Sequence, residues 1–333
     1  MLDNIAHIND DIHQKHKATE IYENDVLLNI TGASIGRTAV ATKELEGGNV
    51  NQHVCIIRTN SKVNPKFLCD YIQTQRIQNH IKSLQTGGSR EGLNFEQIRS
   101  FPISLPSINE QNKLTCLLDK INERISTQAR LIEDLKKLRC AIVEKMFKQS
   151  KANGRLGDFI EQVSVRNKNG LYSNVLSVSN KQGFVKQSEQ FEDRTVASED
   201  TSNYKIVKRN NFAYNPARIN VGSIARLTKF DVGIVSPMYV CFRTKASIIP
   251  EYMEAFFTSQ QFFYEMMKRL EGSVRLCLSY EGLCNIPVYI PDMNKQIAMG
   301  QNISLILSKI GLEIEYLGRL HQQKQYLLRK MFI

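Results

Sequence analysis

The sequence predicts a mixed α/β (α+β) protein. It is built from two similar globular units and two long helices that pair antiparallel as a coiled coil. Three observations carry this. Residues 110–147 and 295–332 each place apolar residues at helical period, and each follows a proline, Pro106 or Pro291, that ends whatever precedes the helix. Both stretches belong to one internal repeat with an almost constant spacing, set by pairs such as Pro65 and Pro250. Ahead of each helix, short β-branched runs alternate with turns and an amphipathic helix.

The repeat extends well beyond the helices. Arg58-Thr59 answers Arg243-Thr244, Phe95-Glu96 answers Tyr280-Glu281, and Asn109 and Gln111 answer Asn294 and Gln296. Lys145-Met146-Phe147 answers Lys330-Met331-Phe332. Further upstream the register steps by one, aligning Glu23-Asn24-Asp25 with Arg209-Asn210-Asn211. Agreement over this length marks a duplication.

In the first unit, residues 26–30 and 37–41 read as strands around the turn Thr31-Gly32-Ala33-Ser34, and residues 54–58 as a third. Residues 65–84 read as one helix whose apolar face is Phe67, Leu68, Tyr71, Ile72, Ile77 and Ile81. Gly87-Gly88-Ser89 is a loop, Asn94 caps a short helix through Ile98, and 101–105 is a final strand. The second unit repeats the plan at 211–215, 223–228, 235–242, 250–270, a loop over 272–275, and 286–290.

The first long helix carries Leu114, Leu117, Leu118, Ile121, Ile125, Leu131, Ile132, Leu135, Leu138, Ile142 and Met146 along one stripe. A rod of this kind reaches roughly 55 Å and buries little alone, so the other copy is its expected partner. Gln128 and Glu313 fall at equivalent stripe positions and are candidates for setting register.

The second unit opens at Leu156-Gly157-Asp158, and the spacing places the same start about thirty residues ahead of Met1. The first unit is therefore expected to lack its opening segment. An upstream start, a natural truncation or strands from another chain would each account for that.

The 333 residues suffice for two domains with real cores. No apolar run is long enough for a membrane helix, and the polar N-terminus is not a secretory leader. Seven cysteines without a CxxC pair read as small, mostly buried thiols in a reducing, cytoplasmic setting. The formal net charge of +11 favours a polyanionic partner, nucleic acid first.

Catalytic signatures are missing. The sequence holds no GxxxxGK[ST] or GxGxxG phosphate loop. His7, His13, His16, His53, His80 and His321 show no metal-site spacing beyond His13 and His16 on a polar segment. Asn215-Pro216-Ala217 faintly resembles the Asn-Pro-Pro-aromatic motif of adenine methyltransferases, without its second proline or aromatic.

The turns between the first two strands of each unit are more informative. The first offers Asn29, Thr31, Ser34 and Arg37; the second offers Asn215, Arg218, Asn220 and Ser223. Small residues let backbone approach a groove, and Asn and Arg match adenine and guanine edges. A glycine turn with surface polar residues is an equal reading. The loops bearing Ser89, Arg90 and Asn94, and Arg275, read either as phosphate clamps or as solvated turns.

Two α/β units, each followed by a long helix that starts after a Pro-x-x-x-Pro strand and Asn-x-Gln, resemble the specificity subunit of type I restriction–modification systems. The carriers are residues 102–111 and 287–296 with their helices, the glycine loops and the Leu156-Gly157-Asp158 restart. The resemblance implies two target recognition domains, residues 1–106 (N-terminally incomplete) and 151–291, with spacer helices over 107–150 and 292–333. Each domain would read one half of a bipartite double-stranded DNA sequence. The spacers would hold the two apart and dock two methyltransferase subunits, which restriction/translocase subunits would join. The chain itself would be non-catalytic, with S-adenosylmethionine, ATP and Mg bound by those partners. The alternatives are a stand-alone DNA adenine methyltransferase, or a truncated, inactive subunit serving only as a coiled-coil module.

Overall fold

The computed structural model describes residues 6–85, 92–148, 151–180, 182–187, 200–273 and 275–332. The chain divides into two compact units, residues 1–130 with 314–333, and residues 131–313.

In the first unit, α1 (Asp10–Lys15) precedes a small antiparallel sheet. Its strands are β1 (Val26–Asn29), β2 (Thr38–Val40) and β3 (Val54–Ile57), in the order β2-β1-β3. Asn24 feeds the chain into β1 with a left-handed φ of 71°, a conformation Asn adopts more readily than most residues. Its counterpart Asn210 does the same at 69°, so the one-residue register step read from the sequence is real. The loop between the second and third strands absorbs it.

Asn64 caps α2 (Pro65–Ile72), accepting from the N–H groups of Lys66 and Phe67, with Pro65 in the first turn. The single helix expected over 65–84 is instead two, α2 and α3 (Gln75–Gln85). Buried Thr74 separates them. Its hydroxyl donates to the Tyr71 carbonyl, and its own carbonyl accepts the first bond of α3 from Gln78 N–H. Asn94 and Gln97 cap α4 (Phe95–Arg99) reciprocally, as expected. Residues 101–105, expected as a strand, pair with no strand among the described residues.

The second unit opens with β4 (Gly154–Arg155), α6 (Leu156–Phe159) and β5 (Ile160–Gln162). Next come β6 (Val175–Ser179), β7 (Gly183–Lys186), β8 (Lys205–Lys208), β9 (Phe212–Tyr214) and β10 (Ile224–Arg226). One strand was expected over 235–242. The structure has two, β11 (Val232–Val235) and β12 (Val240–Thr244), in different sheets. Pro237 lacks the N–H a continuous ladder needs, and Tyr239 N–H closes a turn on the Ser236 carbonyl. The sheets run β10-β9-β12-β5 and β7-β6-β11-β8, the β6–β11 pair being parallel. A break at Ser259 divides α7 (Pro250–Phe257) from α8 (Gln260–Met267), the hydroxyl donating to the Phe256 carbonyl as Thr74 does to Tyr71. After α9 (Tyr280–Cys284), β13 (Pro287–Val288) pairs with β4.

The long helices are α5 (Ile108–Lys148) and α10 (Met293–Met331). In the first unit, Leu118 near the start of α5 joins Leu328 of α10 and Phe332 in the core. In the second, Val143 and Phe147 at the end of α5 join Ile303 near the start of α10. The helices therefore run in opposite directions. The aromatic contacts make the point side chain by side chain. Phe332 stacks on Phe67 at 5.2 Å and meets Tyr71 edge-on at 5.5 Å. In the second unit Phe147 takes the same place against Tyr252 and Phe256, at 5.3 and 5.2 Å. Each core is thus closed by a phenylalanine from the helix that belongs, in sequence, to the other copy.

The stripe is narrower than the sequence reading proposed. Leu118, Ile121 and Ile132 are buried, while Leu117, Leu131 and Leu138 are exposed. Two helices meeting along one seam bury about two positions in seven, so the wider stripe stays outside. Gln128 and Glu313 are both buried on it. Among the cysteines, Cys55, Cys69 and Cys241 are buried as expected, whereas Cys116 and Cys140 are exposed on α5.

Candidate nucleic-acid interface

The two turns proposed as readers are built alike. In the first unit, Asn29 at the end of β1 accepts from Thr31 N–H at 3.2 Å and donates from Nδ2 to Ser34 Oγ at 2.8 Å. Its backbone N–H donates to the Arg37 carbonyl, and its carbonyl accepts from Gly36 N–H. In the second unit, Asn215 accepts from Ala217 N–H at 3.0 Å, and its backbone N–H donates to the Ser223 carbonyl. Gly36 and Gly222 close the turns at φ 83° and 87°, where a Cβ is strained. A third strut is also shared. Leu93 N–H donates to the Ile30 carbonyl, and Leu278 N–H to the Pro216 carbonyl.

On this common backbone the side chains differ. Arg37 and Arg218 are exposed and have no ion-pair partner among the described residues, and Asn220 is half-buried. Thr31 and Ser34 are half-buried beside them. Ser223 faces inward, its hydroxyl donating to the Val178 carbonyl at 3.1 Å. Asn94 is exposed, but its side chain is committed to the cap of α4. Arg275 is exposed. Ser89 and Arg90 lie outside the described residues.

Two neighbours drew no attention as readers in the sequence. His53 precedes β3, and its Nδ1 shares a 2.5 Å hydrogen bond with Thr31 Oγ1. Met238 precedes β12 by one further residue, and its sulfur lies 3.9 Å from Asn215 Nδ2. The repeat spacing makes the two positions equivalent, the signal that would have found them.

Charge near the strands is partly structural. Arg226 of β10 is held by Glu251 and by Glu254, the latter at 2.9 Å, with its side chain only 10% exposed. Burial pushes the Glu254 carboxyl above its usual range, against the pull of Arg226. Among the described residues, no group of His, Cys, Asp and Glu could hold a metal, and no helix is long and apolar enough to cross a membrane.

Each unit also carries a groove where its α2 or α7 start meets a long helix. Ile249, Glu251, Ile297, Gly300, Ser304 and Leu305 line one. Asn64, Lys66, Asn112, Thr115, Asp119 and Lys120 line the other. These residues correspond one for one through the repeat, and the groove turns from largely apolar to charged.

This duplicated α/β fold, with two long helices and matched polar turns, has counterparts among known proteins. Residues 3–137 match the type I restriction modification DNA specificity domain. The type I restriction enzyme EcoBI specificity subunit of Escherichia coli is 24% identical over 123 residues, 36% of this chain and 25% of that protein. The match therefore spans a quarter of that relative's length. Among solved structures, a chain from work on complex assembly and conformational transition of the type I R-M system aligns with a TM-score of 0.60 and 15% identity, covering 94% of this chain and 82% of that one. The type I restriction–modification S subunit from M. genitalium aligns at 0.58 and 18%, covering 95% and 84%. Residues 3–137 are thus similar to the type I restriction modification DNA specificity domain, and the solved structures share this fold over most of the chain.

Proposed function

We propose that this chain is the non-catalytic, sequence-reading subunit of a type I restriction–modification assembly. Its recognition domains, residues 1–106 and 151–291, each read one half of a bipartite DNA target. One observation carries this: a single turn scaffold occurs twice with different side chains, exposed Arg37 in one and exposed Arg218 with half-buried Asn220 in the other. A reader of an asymmetric two-part sequence needs that combination. Arg37, Arg218 and Asn220 supply base-edge contacts, with Thr31 and Ser34 beside them. Asn29, Asn215, Asn94 and Ser223 hold the turns and caps in shape. Arg275, with Ser89 and Arg90, supplies phosphate contacts. Asn215 closes its own turn, which suits a reader better than a methyltransferase motif.

The partners are two methyltransferase subunits, joined by restriction/translocase subunits. S-adenosylmethionine, ATP and Mg bind those partners. Exposed Leu305 and Leu312 on α10 suit a docking surface for one of these partners.

The test is co-expression with the cognate methyltransferase and genome-wide mapping of modified adenines. The expected result is one asymmetric two-part motif, lost when this chain is omitted. Methylation independent of this chain, or lacking a defined motif, refutes the proposal.

A further inference from the structure

The residues shared by the two turns cannot tell the half-sites apart. Asn29 and Asn215 are identical, and each spends its side chain on its own turn, Asn29 with Thr31 and Ser34, Asn215 with Ala217. Discrimination falls to positions that touch the turn, face solvent and differ between the copies. The residue just ahead of the third ladder strand meets all three conditions. In the first unit it is exposed His53, bonded through Nδ1 to Thr31 Oγ1, while its Nε2 holds a long, solvent-exposed 3.4 Å hydrogen bond with the Gln52 amide that a base edge can replace. In the second it is Met238, 61% exposed and lying against the Asn215 amide.

We propose that His53 and Met238 are specificity-determining residues, His53 hydrogen-bonding a purine edge in one half-site and Met238 packing on the 5-methyl group of a thymine in the other. The assignment rests on the DNA-reading function proposed above and adds the residues and the base chemistry. An imidazole pinned at one nitrogen presents the other in a fixed direction, where it exchanges a hydrogen bond with a base edge. A thioether offers no strong hydrogen bond. It is flexible and polarisable and suits an apolar surface such as the thymine methyl, the apolar feature of the major-groove edge. The neighbouring contacts agree. Thr31 positions His53, whereas its counterpart Ala217 has no hydroxyl and leaves Met238 free to lean on Asn215.

The experiment uses the full chain assembled with its cognate methyltransferase. Methylated motifs are mapped for the wild type, His53→Met, His53→Gln, Met238→Gln and Met238→Leu. The expected result is that His53→Met alters one half of the motif and Met238→Gln only the other. Met238→Leu keeps the original motif. His53→Gln retains some preference for the original base, because an amide still donates and accepts. A second measurement replaces each thymine of the target by deoxyuridine, removing one methyl group. One such replacement should weaken wild-type binding about fourfold, the worth of one buried methyl group, and leave Met238→Ala binding unchanged. The proposal is overturned if His53→Met and Met238→Gln methylate the wild-type motif at the wild-type rate, or if every deoxyuridine duplex binds wild type and Met238→Ala in the same ratio. Those results would leave the DNA-reading function standing. A wild-type complex without any two-part motif would remove both.

Discussion

At the residue scale, two buried glutamines show how the repeat was built to dock its helices. Gln111 accepts from Asn64 N–H at 2.9 Å and donates to the carbonyls of Lys62 and Pro106. Gln296 repeats this with Ile249 N–H, Ser247 and Pro291. Both are essentially inaccessible. Replacing Gln296 by Ala strands one N–H and two carbonyls, and should destabilise the second unit by about 2–4 kcal/mol, read by chemical denaturation. Asp70 is the opposite case, a buried carboxylate whose counterpart is Ala255. Burial raises it from 3.8 to about 6, with Lys324 pulling the other way. Between those pH values the folded state keeps a proton that the unfolded state has lost, so this group's contribution to stability falls as pH rises through that window. Asp70→Asn should therefore raise the melting temperature at pH 7–8, and the gain should disappear below about pH 4. A gain of equal size at pH 4 would contradict it.

At the scale of elements, the crossed phenylalanines decide which helix supports which core. Truncating a buried Phe costs about 3–5 kcal/mol. Phe332→Ala should speed amide exchange in α2, against which Phe332 packs, and Phe147→Ala should do so in α7. Local packing without the swap would give the reverse pattern, so hydrogen exchange separates the two. The element boundaries carry a similar lesson. The amphipathic face over 65–84 is continuous in period, which is why one helix was expected. Period does not report where Thr74 turns its hydroxyl back on Tyr71, and that bond, repeated by Ser259, interrupts the helix. The run over 235–242 was similarly continuous in hydrophobicity, and Pro237 was the available sign that it breaks.

At the scale of the whole molecule, the proposed function makes each half-site exchangeable with its domain. Replacing residues 156–286 with the corresponding domain of another specificity subunit should change one half of the methylated motif and keep the other. Mapping modified adenines in the hybrid reads this directly, and a change in both halves would count against independent readers. The net charge of +11 bears on the same function. If phosphate contacts contribute much of the affinity, binding should weaken steeply between low and moderate salt, with a log–log slope that counts the phosphates neutralised.

The duplication, the long helices, the cap at Asn94, the three strands of the first unit and the strands at 212–214 and 224–226 of the second were legible in the chain alone. Each is written in spacing, period or a capping residue, which are local signals. Other features needed the fold, because they depend on what lies across a strand or helix rather than along it. Ser223 turns inward because Val178 of a neighbouring sheet offers a carbonyl. Leu117, Leu131 and Leu138 stay outside because a single seam cannot cover the whole stripe. His53 meets Thr31 because the antiparallel pairing of β1 and β3 brings together residues 22 positions apart.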